Sequence, residues 1–162
     1  MRLTVSIVFA LLPTLAFAQG GAPHIKRTNP STLSRPTGYT HVVEVSGPVK
    51  TIYIAGQVAV DKDGTVVGAN DMRAQAEQVF KNVEAALAAA GAKLSDVVKM
   101  NTFATDLGQI QAYRDVRARF FGDAAPASTL VQVVRLARPE YLLEVEVIAA
   151  VPERPRIVPA RQ

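Results

Sequence analysis

The sequence predicts an α+β domain with the element order β-β-α-β-α-β-β, and three observations carry that prediction. Two segments repeat apolar residues at helical spacing: Met72, Ala76, Val79, Phe80, Val83, Leu87 and Ala90, then Ile110, Tyr113, Val116, Phe120 and Phe121. Five further segments are rich in β-branched residues and are bounded by Gly, Pro or Asp turn signals. Two helices cover only one face of such a sheet, yet the strands Thr51–Val58 and Leu142–Ala150 are largely apolar on both faces. A lone open sheet of that kind leaves an apolar surface exposed, which points to assembly through the sheet. The pattern itself gives no subunit number.

Residues 1–18 read as a signal peptide. Arg2 supplies a short positive start, Leu3–Phe17 is an apolar run broken by Pro13 and too short to span a bilayer, and Ala16–Ala18 is a small-x-small cleavage site. The mature chain is then expected to begin at Gln19. It would be exported, in the periplasm, with no membrane attachment after cleavage. Residues 19–36 are rich in Gly, Pro, Thr and Ser and read as an irregular lead-in.

The folded domain is expected over 37–151. His41–Ser46 and Thr51–Val58 fit two strands joined by the turn Gly47–Lys50, hence a hairpin. Asp61–Gly64 is a further turn, without the ligand spacing of a calcium loop. Asn70 or Asp71 caps a helix that runs to about Ala90, and Gly91 stops it. Val97–Thr105 is a third strand. A second helix runs from about Leu107 to Phe121 and ends at Gly122. Two closing strands, Thr129–Leu136 and Leu142–Ala150, are joined by a turn through Arg138–Glu140. Residues 152–162 form a Pro- and Arg-rich tail.

Composition removes several classes of function. The chain has no cysteine, which excludes thiolate catalysis, thiolate metal sites and disulfides. Its histidines are His24 and His41 alone, too few for a multi-histidine metal site, so no metal and no cofactor are expected. The net charge of +4 becomes +3 without Arg2. Much of that excess sits near the ends, at Lys26, Arg27, Arg154, Arg156 and Arg161. No block interleaves basic and aromatic residues, so nucleic acid is not an expected partner. Arg114, Arg117 and Arg119 read as a solvated face of the second helix, and His41 as a solvated residue at a strand edge.

An ordered set of short motifs runs through the domain: Gly38–Tyr39, Ile54–Gln57, Ala74–Gln75 and Asn82 in the first helix, Asp96–Lys99, Thr105–Leu107, Pro126–Ala127, Val131–Val133 and Glu144–Glu146. Taken together this set resembles the RidA family, also called the YjgF family, over roughly Pro36–Val151. The resemblance implies a chorismate-mutase-like fold with two helices on one face of the sheet. It also implies a homotrimer with a small-molecule cleft at each subunit interface. The implied activity is hydrolytic deamination of reactive imines and enamines such as 2-iminobutanoate and 2-iminopropanoate.

Carried over position by position, Glu144 matches the glutamate that orients or activates water. Tyr39 matches a tyrosine lining the cleft, and Gly56 matches a glycine whose backbone lies beside substrate. Ser128 stands where deaminating members carry the arginine that grips the substrate carboxylate. Ala55 stands in place of a serine, and Gly108 in place of an asparagine.

An arginine fork fixes a carboxylate by charge-assisted hydrogen bonds, whereas a serine hydroxyl is a neutral and weaker anchor. With Ser128 there, the resemblance points to a substrate without a carboxylate or to a weak activity. Arg135 has the opposite strand parity to Ser128, and Arg138 lies in the turn beyond. Two other readings stay open: a non-catalytic small-molecule-binding trimer, and a stress-related holdase that uses the apolar sheet faces. Glu146, on the same face as Glu144, reads as structural.

Overall fold

In a computed structural model, described for residues 24–153, the chain forms six strands and two α-helices. The expected signal peptide and most of the expected tail lie outside the described residues. In chain order the elements are β1 (His24–Thr28), β2 (Val42–Ser46), β3 (Val49–Gln57), α1 (Met72–Ala89), β4 (Val97–Ala104), α2 (Ile110–Phe121), β5 (Ala127–Gln132) and β6 (Leu143–Pro152). Single 3-10 turns at Leu94–Asp96 and Leu107–Gln109 lead into β4 and α2.

The main sheet has the order β3-β6-β4-β5. β6 is antiparallel to both β3 and β4, and β5 lies parallel to β4 at the edge. Each pair of parallel strands is joined through a helix, as a parallel connection requires. The core is one-sided. Ile52 of β3, Met100 of β4, and Leu143, Val145, Val147 and Ala149 of β6, all buried, meet the predicted stripes of the helices, of which Ala90, Ile110 and Phe120 are only partly buried.

α1 begins where its sequence says it should: the Asp71 carboxylate accepts from the N–H groups of Arg73 and Ala74. Gly91, at φ 75°, follows its end. The two helices are locked by an aromatic cluster in which Phe80 meets Tyr113, Phe120 and Phe121 at centroid distances of 5.9, 5.2 and 5.6 Å. Deleting a fully buried Phe costs about 3–5 kcal/mol, so Phe80 is among the most costly side chains to lose.

Four expectations are corrected. The lead-in is not wholly irregular, because His24–Thr28 pairs antiparallel with β2, His24 opposite Ser46 and Thr28 opposite Val42. Arg27 pins this ribbon down by donating from Nη2 to the carbonyls of Ser95 and Val97. β2 and β3 do not form a hairpin. Gly47, at φ 84°, and Pro48 redirect the chain, and Val49 pairs with Pro152 of β6 while β2 is taken by β1.

The two closing strands are not neighbours either, since β4 lies between them. Finally, β5 begins at Ala127 and ends at Gln132, not Thr129 to Leu136. Its partner β4 ends at Ala104, whose carbonyl takes one last bond from the Val133 N–H at 2.9 Å. Beyond that point the backbone has no ladder to join, and Val134 is fully exposed.

Candidate functional site

Two separate groupings of polar residues hold the four residues singled out from the sequence. The first is built where the chain before β2 meets the start of β5. The Thr40 N–H donates to the Pro126 carbonyl at 3.0 Å, and its hydroxyl donates to the Ala125 carbonyl at 2.6 Å. Thr40 also bridges Ala127 in parallel, so this segment runs as a short extension of the sheet edge. That attachment sets Tyr39 beside Ser128. A cavity of about 170 Å³ results, lined by Thr37, Tyr39, Arg114, Arg117, Ser128 and Leu130. The Tyr39 ring meets His41 edge-on at 5.2 Å, and His41 Nε2 lies 2.8 Å from the Ser34 carbonyl. His41 therefore serves to hold the loop that carries Tyr39.

The second grouping is on β3 and β6. Ile54 pairs with Val147 and Gln57 with Val145, so Ala55 and Gly56 together oppose Glu146 alone. This is a β-bulge, a device that re-aims the backbone at a sheet edge. It presses Gly56 against the Glu144 side chain: a Cβ on Gly56 would collide with Glu144 Oε1. The Glu144 carboxylate, half-buried, has no hydrogen-bond or ion-pair partner among the described residues. Glu146, by contrast, accepts from Asn101 Nδ2 at 2.7 Å. The neighbouring carboxylate is thus tied in a structural bond, and of the two glutamates Glu144 is the one without a partner among the described residues.

Sheet register decides which of these residues meet. Met100 is paired with both Ser128 and Val147, and it sits in the core under the helices. Ser128 therefore shares the helix-covered face. Phe103 pairs with Glu144, and Asn101 with Glu146, on the opposite, open face. That open face also carries Tyr53, 76% exposed, and a hollow of about 340 Å³ bounded by Tyr53, Lys99, Asn101 and Ile148. Within one protomer, Tyr39 and Ser128 come together, Gly56 and Glu144 come together, and the two pairs lie on opposite faces.

The expectation for the arginines of α2 holds for Arg114 and Arg119, which are exposed, and fails for Arg117, which is buried at 7% exposure. Arg119 pairs with Glu77, and Asp115 is taken by Arg73 at 2.7 Å. The Arg73 hydrogen bond, with one from Gln111, holds the Asp115 carboxyl below its usual range. Arg117 lies over the Tyr113 ring at 5.5 Å, donates from Nη2 to the Thr37 carbonyl at 3.3 Å, and fills the space a Cβ on Gly38 would need. Helical spacing held the signal for this: Arg117 follows Tyr113 by four positions, in the same inward stripe. Arg135 and Arg138 do not reach the Ser128 cavity; Arg138 instead caps the Tyr141 ring.

The match to known proteins spans the same residues. The family model described as Endoribonuclease L-PSP matches residues 31–151. A RutC family protein of Pyrococcus abyssi is 34% identical over 116 residues, 71% of this chain and 88% of the relative. A protein of Dermatophagoides farinae named 2-iminobutanoate/2-iminopropanoate deaminase is 33% identical over 118 residues, 72% of this chain and 89% of the relative. Among solved structures, the Rid family protein YyfB of Yersinia pestis, described as of unknown function, superposes with a TM-score of 0.72 at 35% identity. That superposition covers 78% of this chain and 98% of the other. With the sequence match, the sheet order and the helix placement in agreement, this chain belongs to the Endoribonuclease L-PSP family, the family of the RidA, YjgF and RutC proteins.

Proposed function

We propose that this protein is an exported, homotrimeric hydrolase of reactive imines and enamines, with Glu144 as the water-handling carboxylate. The observation that carries the reading is the contrast between two glutamates on one strand. Glu146 is satisfied by Asn101, whereas Glu144 is held against the Gly56 backbone with its oxygens unpartnered among the described residues. A carboxylate so placed can accept a proton from water as the water oxygen bonds to the carbon of a protonated C=N. The carbinolamine then collapses: the carboxyl returns its proton to nitrogen, the C–N bond breaks as the hydroxyl oxygen forms the C=O bond, and the hydroxyl proton passes through the freed carboxylate to the departing ammonia, leaving a ketone and ammonium.

The opposed positions of Glu144 and Ser128 support a cleft shared between copies, with Glu144 of one protomer facing the Ser128 cavity of the next. The exposed Tyr53 on the open face supports the assembly that such a cleft needs. The test uses the purified protein without its first 18 residues and 2-iminobutanoate generated in situ. Turnover is expected, and Glu144→Gln is expected to lower kcat by about 10²–10⁴. Equal turnover by wild type and Glu144→Gln would remove Glu144 from the mechanism. Ligand binding without turnover in either form would favour a non-catalytic binder.

A further inference from the structure

We infer that Arg117, with Arg114, supplies from helix α2 the anion anchor that strand β5 lacks at Ser128. The cavity that holds Ser128 would then bind the carboxylate of a small 2-imino acid. This rests on the reading of the site as an imine hydrolase, and it names the group by which that site would hold its substrate.

Four observations lead there. Arg117 is a buried cation with no carboxylate within 4 Å among the described residues. Burying a charge is costly unless the charge is paired and hydrogen-bonded. A guanidinium has five N–H donors, and the bond to the Thr37 carbonyl uses one. The sole sealed side-chain nitrogen without a partner among the described residues is Arg27 Nε. The remaining Arg117 nitrogens are therefore not sealed in protein without a partner, and the residue lines the Ser128 cavity.

The second observation is the company Arg117 keeps. Arg114 precedes it by three positions and lines the same cavity, also without a carboxylate within 4 Å among the described residues. Like charges at that spacing repel. The other ion pairs of α2 show that carboxylates were available to this helix: Asp115 pairs with Arg73, and Arg119 with Glu77. The two arginines left over are the two that face one cavity.

The third observation is chemical fit. Ser128 and Tyr39 add neutral hydroxyls to the same wall, and Leu130 adds an apolar side. A small acid needs charge for its carboxylate, donors beside it and an apolar surface for its carbon chain. At about 30 Å³ per water, the cavity has room for roughly five or six waters, the scale of a three- or four-carbon acid. The fourth is rigidity. Stacking on Tyr113 and close contact with the Gly38 backbone fix the Arg117 fork before any ligand arrives, which lowers the entropy cost of binding. A Cβ at Gly38 would displace that fork, so the glycine, at φ 76°, serves the guanidinium as well as the turn.

The experiment measures binding, not turnover. Wild type, Arg117→Met, Arg117→Lys and Arg114→Gln are titrated by calorimetry with 2-oxobutanoate, the product keto acid, and with its uncharged amide. Wild type is expected to prefer the acid. Arg117→Met is expected to weaken acid binding about ten- to hundredfold and to leave the amide unchanged, the span of one charge-assisted hydrogen bond. Arg117→Lys is expected to retain part of the preference. If Arg117→Met does not fold, as its melting curve would show, the exposed Arg114→Gln and the acid-over-amide preference of wild type decide the matter. Equal wild-type affinity for acid and amide, or an undiminished preference in a folded Arg117→Met, overturns the proposal. The two readings fail separately. Acid-selective binding without imine turnover removes the hydrolase and keeps the anchor. Turnover with an unchanged KM in Arg117→Met removes the anchor and keeps the hydrolase.

Discussion

Replacing Gly56 by alanine isolates the contact that positions the Glu144 carboxylate. Gly56 is not among the glycines with positive φ, so an alanine there suffers no backbone strain of that kind. The obstacle is spatial. The added Cβ would lie inside van der Waals reach of Glu144 Oε1, Cδ and Cγ, so the whole side chain must swing aside. Overpacking of this sort costs about 1–3 kcal/mol. A domain of this size loses about 2–4 °C of Tm per kcal/mol, so Gly56→Ala is expected to lower Tm by roughly 2–12 °C. Truncating the obstacle should cancel the cost. Gly56→Ala combined with Glu144→Ala is expected to melt close to Glu144→Ala alone, giving a coupling energy of about 1–3 kcal/mol in a double-mutant cycle. Thermal melts followed by circular dichroism provide all four corners, with no need for a substrate. Additive losses across the cycle would refute the claim that Gly56 is small in order to make room for Glu144. In activity, a displaced carboxylate costs on the order of 10²-fold, so Gly56→Ala should approach Glu144→Gln.

Two further outcomes follow from buried polar groups in the core that supports the site. Burial pushes the Tyr113 phenol above its ordinary 10.0, against the lowering effect of its hydrogen bond with Thr102. Above pH 10 the unfolded chain therefore loses a proton that the folded chain keeps, and stability falls as pH rises. Tyr113→Phe is expected to flatten that alkaline fall, and to cost about 1 kcal/mol at neutral pH by stranding the Thr102 hydroxyl 2.7 Å away; urea melts at pH 7 and pH 10.5 check both. Gln75, fully buried, donates to the carbonyls of Gly68 and Glu140 and accepts from the Leu142 N–H at 2.8 Å. Gln75→Leu orphans the Glu140 carbonyl and the Leu142 N–H, the Gly68 carbonyl keeping the Asp71 N–H, and is expected to cost roughly 2 kcal/mol or more, read as a lowered urea midpoint with unchanged slope; a loss under about 1 kcal/mol would mean that water replaces the amide.

What was legible in the sequence was what period and caps encode. The α1 stripe of Met72, Ala76, Val79, Phe80, Val83 and Leu87 is buried as read, and Asp71 caps it. The resemblance singled out Gly56 and Glu144 one by one, but neither it nor any spacing argument brings β3 and β6 together. Strand partnership was not legible. Residues 24–28 carry no apolar alternation, because a two-stranded ribbon held by Arg27 to the Ser95 and Val97 carbonyls has no core face to advertise. Proximity in sequence misled for β2 with β3 and for β5 with β6, since both turns hand the chain to a distant partner. Arg117 was misjudged by its charge alone. Its helical position is inward, and only the structure shows that the loop at Thr37–Gly38 closes over it.

That misjudgement changes the meaning of Ser128. Taken on its own strand, serine at this position removes a cation from the cleft. In three dimensions the cavity already holds two guanidinium groups, one of them buried. A third, carried on β5 at Ser128, would share roughly 170 Å³ with them. Two unit charges 4 Å apart repel by about 4 kcal/mol at an effective dielectric of 20, more than one added hydrogen bond to a ligand returns. A small hydroxyl at 128 is thus what a cavity served from the helix requires. The strand and the helix are alternative supports for the same charge, and a chain that uses the helix has physical reason to keep a serine on the strand.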